Sequence, residues 1–292
     1  MFFLGLSILT SSCSNQSNNT PSDSDEIIIG HKPFTEQYIL SNALKLLIEE
    51  KTNIKVSLKE MVDTQALHPA IVNGDIDLYP EYTGTVWKVV LNKDSTPDEK
   101  LMLKVLKDYY LDTFNLKVFN PYGLNNTYTL AMKDSLASSL NIITYSDLAK
   151  ESQNLIFGAE IEFFERSDGF YNLAKTYNMK FKEVKEFQVY EKYDLISKDY
   201  VQVIDAFATD GYIEENNLRI LIDDKSFFPP YYCTTIARNE SLEKYPKLKE
   251  ALLLLENNIS NQDMIYMNFQ VENKKLSPRD VARNFLLSKG LI

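Results

Sequence analysis

Short apolar runs alternate along the chain with longer stretches whose apolar positions recur at helical spacing. Ile27-Ile28-Ile29, closed by Gly30, reads as a buried parallel strand. Ile39, Ala43, Leu46 and Leu47 then share one face of a helix, with Thr35 as its expected N-cap and Glu36 in the first turn. Ile54, Val56 and Leu58 alternate with polar residues, which completes a strand–helix–strand unit. A helix over residues 64–73 leads to the Asn73-Gly74 turn signal and a strand at Ile76 to Leu78. Pro80 lacks an N–H and is expected to end the ladder there. Tyr82, Thr83, Gly84 and Thr85 follow as a loop, before an apolar run from Val86 to Leu91 that suits a helix.

Thr96-Pro97-Asp98-Glu99 carries the signature of a helix start, with Thr96 as the cap, and that helix should run to about Leu111. Lys117 to Phe119 is the next strand. A second alternating series begins with a strand at Asn125 to Met132. Thr144 should cap a helix to Lys150, and strands are expected at Leu155 to Ala159, Phe181 to Val184, Val201 to Phe207 and Leu218 to Ile222. Between them lie helices at Asp168 to Tyr177 and near Tyr190 to Lys198. Pro229-Pro230 introduces a strand at Thr234 to Ala237. The remainder reads as helices at Leu242 to Glu256, Gln262 to Val271 and Pro278 to Ser288. Strands alternating with helices in two series predict two α/β lobes. The expected division is a leader and tether at 1–25, a first lobe from 26–124 and 231–292, and a second lobe at 125–230.

Composition narrows the function. At 292 residues the chain is long enough for two such lobes, and a formal net charge of −10 with no basic run argues against nucleic acid as a partner. Phe2 to Thr10 is apolar, and Thr10-Ser11-Ser12-Cys13 places small residues before a cysteine. This resembles a bacterial lipobox in which Cys13 is lipidated; no Lys or Arg follows Met1, and the position three before the cysteine is Thr10. A signal peptide cut elsewhere is the alternative. The apolar run is far shorter than the ~20 residues that a membrane span needs. With Cys13 lipidated, Cys233, the second of two cysteines, has no disulfide partner.

Catalysis finds little support. His31 and His68 are the two histidines, no pair stands at metal-ligand spacing, and the nine glycines form neither a phosphate loop nor a nucleophile elbow. No cofactor or metal is expected. Polar and aromatic residues at strand ends are more informative: Lys32, Tyr82 and Thr85 in the first series, Asn126, Tyr128, Arg166 and Phe207 in the second, and Tyr231 after the double proline. In open α/β lobes such positions face the crevice beyond the strand ends, and two facing lobes would bring them into one cleft. Each also has a plainer reading. Lys32 could be a solvated surface lysine, Asn126 a turn residue and Phe207 core, and Arg166 could pair with Glu162 or Asp168 beside it.

The same positions fall in motifs. Gly30-His31-Lys32-Pro33-Phe34-Thr35-Glu36-Gln37, the run from Gly74 through Tyr79-Pro80-Glu81-Tyr82 to Gly84, and Asn126-Thr127-Tyr128 come first. Glu162 to Gly169, Ala206-Phe207-Ala208-Thr209-Asp210-Gly211 and Phe227-Phe228-Pro229-Pro230-Tyr231 follow. In this order they resemble the substrate-binding lipoproteins of osmoprotectant (glycine betaine, choline, carnitine) ABC importers, over the whole chain from residue 27. The resemblance implies a two-lobed type II periplasmic-binding fold that closes on its ligand by a hinge. It implies that Tyr82, Tyr128 and Tyr231 wall a quaternary-ammonium cage, with Asn126 as a polar contact. Phe207 stands where the family commonly has Tyr, and keeps a π face without the hydroxyl. Lys32, Thr85 and Arg166 match the residues that hold a ligand carboxylate. Hence glycine betaine or a related carboxylated betaine is expected rather than choline. The implied partners are an ABC permease with its cytoplasmic ATPase and the membrane reached through a lipid anchor; the implied setting is extracytoplasmic, and the protein is expected to be a monomer. A choline-binding member, a sensory module without transport and an enzyme acting on a small amine are the competing readings.

Overall fold

The computed structural model describes residues 26–93, 97–166, 168–187 and 191–292. Ten strands form two five-stranded sheets with the same spatial pattern, the antiparallel strand coming last in the chain order of the first sheet and first in that of the second. The first holds β1 (Glu26–His31), β2 (Lys55–Glu60), β3 (Leu78–Tyr82), β4 (Leu116–Val118) and β10 (Cys233–Arg238), in the order β2-β1-β3-β10-β4. The second holds β5 (Tyr128–Lys133), β6 (Ile156–Glu160), β7 (Glu183–Phe187), β8 (Val203–Phe207) and β9 (Leu218–Ile220), in the order β7-β6-β8-β5-β9. In each sheet four strands run in the same direction, and the fourth in spatial order, β10 or β5, is antiparallel to both its neighbours.

The chain crosses between sheets twice, after β4 and after β9, and the two crossing segments bond to each other. Asn126 N–H donates to Tyr231 O at 3.1 Å, Tyr231 N–H donates to Asn125 Oδ1 at 2.7 Å, and Asn125 and Tyr232 form an antiparallel bridge. These bonds satisfy backbone that neither sheet can serve.

Pro80 lies inside β3 rather than ending it, opposite Thr235 of β10. The bonds from Arg238 N–H to Asp77 O and from Thr83 N–H to Tyr232 O bracket this ladder. Strand alternation then assigns the intervening bonds to Tyr79 and Glu81, and turns the Pro80 nitrogen toward β1. Pairing with β1 reaches only Leu78, so the missing N–H interrupts no ladder bond.

The helix Thr35–Thr52 begins with Phe34 in the cap position and without a side-chain cap, so Thr35 is its first residue and not its N-cap. Thr96 lies outside the described residues. The helix Glu99–Phe114 is capped by Asp98, whose carboxylate accepts from Leu101 N–H at 3.0 Å. The expected helix from Leu242 to Glu256 is two helices, Asn239–Lys244 and Pro246–Leu253. Pro246 cannot donate to the preceding turn, but serves at a helix start.

Aliphatic side chains dominate the core under the first sheet. Ile39, Leu40, Leu44 and Leu47 of the helix Thr35–Thr52 pack with Leu248, Leu252, Met264 and Phe285 of the C-terminal helices. The second core is aromatic: Phe157 stacks on Phe170 with ring centroids 4.7 Å apart, beside Phe163, Phe164 and Phe181. No helix among the described residues is long and apolar enough to cross a membrane.

Candidate functional site

A cavity of ≈ 380 Å³ opens where the carboxyl ends of the parallel strands of both sheets meet the amino ends of β5 and β10. All eight residues singled out in the sequence line it. Lys32 follows β1, Tyr82 ends β3, and Thr85 lies in the helical turn Thr83–Thr85. Asn126 and Tyr231 come from the two crossing segments, Tyr128 opens β5, and Phe207 ends β8. Arg166 follows a short helix, Ile161–Glu165, that the sequence pattern did not reveal.

The turn after β3 reaches the site by pressing against the returning segment. A Cβ on Gly84 would meet Pro230 O and the Tyr231 ring, each at 2.8 Å, so the approach leaves no room for a side chain. Thr83 fixes the same contact: its Oγ1 donates to Pro230 O at 3.1 Å and accepts from Tyr232 N–H at 3.1 Å.

Both candidate cations already hold a carboxylate. Lys32 is 9% exposed, with Nζ 2.6 Å from Glu81 Oε1. Glu81 is fully buried and also accepts from Thr64 Oγ1 at 2.7 Å and Tyr82 N–H at 2.8 Å. Arg166 donates through Nε at 2.8 Å and Nη2 at 2.9 Å to the two oxygens of Asp168. That is one of the two pairings open to it in the sequence; the Glu162 side chain lies outside the described residues. Each cation also lies near an aromatic ring, Lys32 Nζ at 5.3 Å from the Tyr82 centroid and Arg166 Cζ at 4.9 Å from that of Tyr128.

The rings converge. Tyr128 and Phe207 face each other across the β5–β8 ladder with centroids 4.5 Å apart, so Phe207 is a cavity wall and not wholly core. Tyr231 Oη donates to Asp168 Oδ2 at 3.3 Å, and burial, helped by that carboxylate, pushes its hydroxyl up to about 12. Tyr82 Oη donates to Glu36 Oε1 at 2.6 Å, and burial holds its hydroxyl well above the usual phenol value.

Sequence reading missed a second group of lining residues. In the sequence Glu36 reads as a first-turn acid, and its place in the Gly30–Gln37 motif is the available signal. Thr209 and Asp210 also lay in a quoted motif. Tyr193, Asn268 and Glu272 carried no local signal, because helices distant in sequence bring them in. Behind this wall, Lys192 is buried with Nζ 2.8 Å from Glu160 Oε1 and 3.0 Å from Asp205 Oδ2. Burial pushes the Asp205 carboxyl up to about 6, with Lys192 opposing the rise. Tyr193 Oη donates a hydrogen bond to Asp210 Oδ2, which also accepts from Phe207 N–H at 3.0 Å.

Two sheets of this order with a ring-lined cavity between them define a two-lobed solute-binding protein. The match to known proteins carries this further: residues 25–288 fit the family model described as the substrate-binding domain of ABC-type glycine betaine transport systems, and the chain belongs to that family. Its members are binding proteins of ABC transporters, not enzymes. The chain is 40% identical over 266 residues to the ergothioneine transport permease/ergothioneine binding protein EgtU of Helicobacter pylori. That match takes in 91% of this chain and 48% of that protein, so the chain spans about half the length of this relative. It is 34% identical over 286 residues to the carnitine transport binding protein OpuCC of Listeria monocytogenes, covering 96% of this chain and 93% of that one. A solved structure described as a glycine betaine/carnitine/choline ABC transporter superposes with a TM-score of 0.87 at 31% identity, over 91% of this chain and 99% of that one.

Proposed function

We propose that this chain is the extracytoplasmic receptor of an ABC importer and captures a carboxylated quaternary-ammonium betaine, glycine betaine and its larger relatives being the candidate ligands. The observation that carries the reading is the convergence of Tyr82, Tyr128, Phe207 and Tyr231 with Arg166 in one cavity lined from both sheets. A trimethylammonium group has no N–H and cannot be recognised by hydrogen bonds. Aromatic faces attract it at about 0.5–2 kcal/mol per contact, more where water is excluded. A carboxylate bonded to a guanidinium adds roughly 1.5–3 kcal/mol. After ordering costs, affinity near −8 kcal/mol, or micromolar, is the expected order of magnitude.

In this reading the ligand carboxylate approaches Arg166 on the side away from Asp168, with Thr85 as a hydroxyl donor and Lys32 as a more distant positive charge. The quaternary group lies against the rings, and Asn126 lines the crossing segment about which the two sheets would close. The permease and its ATPase are the partners, Cys13, outside the described residues, is the proposed lipid attachment, and the binding protein acts as a monomer. The named ligands of the relatives, ergothioneine and carnitine, are both carboxylated betaines, which supports the class.

Choline is the second reading, and one observation favours it: Lys32 and Arg166 are each neutralised by a carboxylate, so the site has less uncompensated positive charge than its sequence promised. Calorimetric titration of the lipid-free protein separates the two. Micromolar binding of a carboxylated betaine and weaker binding of choline is expected. Tighter choline than any betaine would overturn the carboxylate assignment. Recovery of unchanged ligand after long incubation is expected, and turnover would point to an enzyme instead.

A further inference from the structure

Six buried side-chain oxygens among the described residues have no hydrogen-bond partner, and four of them belong to residues that line this one cavity: Glu36 Oε2, Asn126 Oδ1, Asn268 Oδ1 and Glu272 Oε2. Buried polar groups are normally paired, so a cluster of orphans in a ligand cavity marks where a ligand's own polar atoms belong. Their chemistry is one-sided. Burial raises both carboxyls, and N–H donors beside them would favour the ionised form, which only accepts; both amides are oriented by their donors. Asn126 Nδ2 donates to Glu36 Oε1 at 3.2 Å and Asn268 Nδ2 donates to Thr209 O at 2.8 Å. Flipping either amide would set oxygen against oxygen, so it is the acceptor of each that is left over.

The four groups are also held in place. Glu36 is 2% exposed and Asn268 4% exposed. Glu36 Oε1 is fixed by Tyr82 Oη and Asn126 Nδ2, while Thr209 and Asn268 stand near the carboxyl without a bond of hydrogen-bonding geometry to Oε2. Asn268 and Glu272 are four residues apart in the helix Asn261–Glu272 and so share one face.

The geometry points to a second subsite in the cavity, formed by Glu36, Asn126, Asn268 and Glu272, that takes a ligand group bearing several N–H donors. Resting on the betaine reading above, it narrows the ligand to a betaine carrying an N–H-bearing heteroaromatic ring. Glycine betaine has no N–H or O–H group and would leave all four acceptors unsatisfied. Carnitine offers a single hydroxyl. An imidazolium or imidazole-thione ring offers two N–H groups on a flat frame that also suits the neighbouring aromatic walls, and ergothioneine, named for one relative, is of this class.

Calorimetry with histidine betaine, ergothioneine, carnitine and glycine betaine, each titrated into the lipid-free protein, tests this. The ring betaines should bind at least about tenfold tighter than glycine betaine, as expected for one or two added charge-assisted bonds. Glu36→Gln should weaken the ring betaines about tenfold more than it weakens glycine betaine. Glu272→Gln, on a more exposed residue, should shift the same ratio in the same direction and serves as the check if Glu36→Gln does not fold. Glycine betaine binding as tightly as the ring betaines would overturn the subsite and leave the betaine reading standing. Equal losses for both ligand types in the variants would also overturn it, since Glu36 would then act only by holding Tyr82. Failure of every betaine to bind would instead sink the reading on which the subsite rests.

Discussion

The two sheets share one spatial pattern, yet they differ in how they carry charge to the cavity. Beside the first sheet, Lys32 projects into the site and Glu81 stands behind it, satisfied by two further donors, Thr64 Oγ1 and Tyr82 N–H. In the second, Glu160 and Asp210 face the site while Lys192 lies behind them, 1% exposed, holding Glu160 and Asp205. Between these two buried clusters the order is inverted: cation in front and anion behind in the first, anions in front and cation behind in the second. The same contrast runs through the rings that end equivalent strands. Tyr82 at the end of β3 carries a hydroxyl bonded to Glu36, whereas Phe207 at the end of β8 offers only a face. Fold symmetry thus supplies two similar platforms, and side-chain identity at strand ends makes them unlike. On the proposed reading, that difference serves a zwitterion, whose two ends need different surroundings.

Removing the rear charge tests the contrast most severely. Lys192→Ala should lower unfolding free energy by about 3–5 kcal/mol in urea titration, because Asp205 is left buried and uncompensated. Lys32→Ala should cost visibly less, since Glu81 keeps two other donors; an equal or greater loss would break the comparison. Next in size, Arg166→Ala should weaken betaine binding by roughly 1.5–3 kcal/mol in calorimetry and change choline little. Equal losses for both ligands would make Arg166 a support for Asp168 and Tyr231.

The acids on the cavity wall give a smaller, pH-dependent effect. Glu272 is raised to about 7, chiefly by burial, with Asp210 and Glu36 adding to the rise. Its folded value lies above its unfolded one, so the folded state holds an extra proton between about 4.5 and 7 and loses stability as pH rises through that window. Partial exposure screens the effect to about 1 kcal/mol. Thermal melts at pH 5 and pH 7.5 should therefore differ less for Glu272→Gln than for the wild type, and an unchanged difference would remove Glu272 as the cause. The smallest effect is expected for Phe207→Tyr, which restores the hydroxyl without changing the ring face. It should alter betaine affinity by under about 1 kcal/mol, and a larger gain would mean that the second sheet lacks a hydrogen bond that it could have made.

Much of the scaffold was legible in the chain because its signals are local. The helix 64–73 and the helix 278–288 are read to the residue, since a cap or a proline marks the start and polar or glycine residues mark the stop. Pro80 was misread because its effect depends on which neighbour its nitrogen faces, which is a property of the sheet. The single helix expected from Leu242 was divided because periodicity continues across Pro246 while hydrogen bonding does not.

For the site, sequence by itself determined the alternating elements, the aromatic and polar residues at strand ends, and the motif order that marks the family. All eight chosen positions meet in one cavity. Only the tertiary structure decided the charge state of that meeting. It set Asp168 on Arg166 and Glu81 on Lys32, and brought Asn268 and Glu272 from the C-terminal helices to Glu36 near the other end of the chain. Hydrogen bonding and charge pairing act over a few ångströms, between residues far apart in the chain. Residue types can therefore name the candidates, but only folding determines which of them arrive already paired and which still need a ligand.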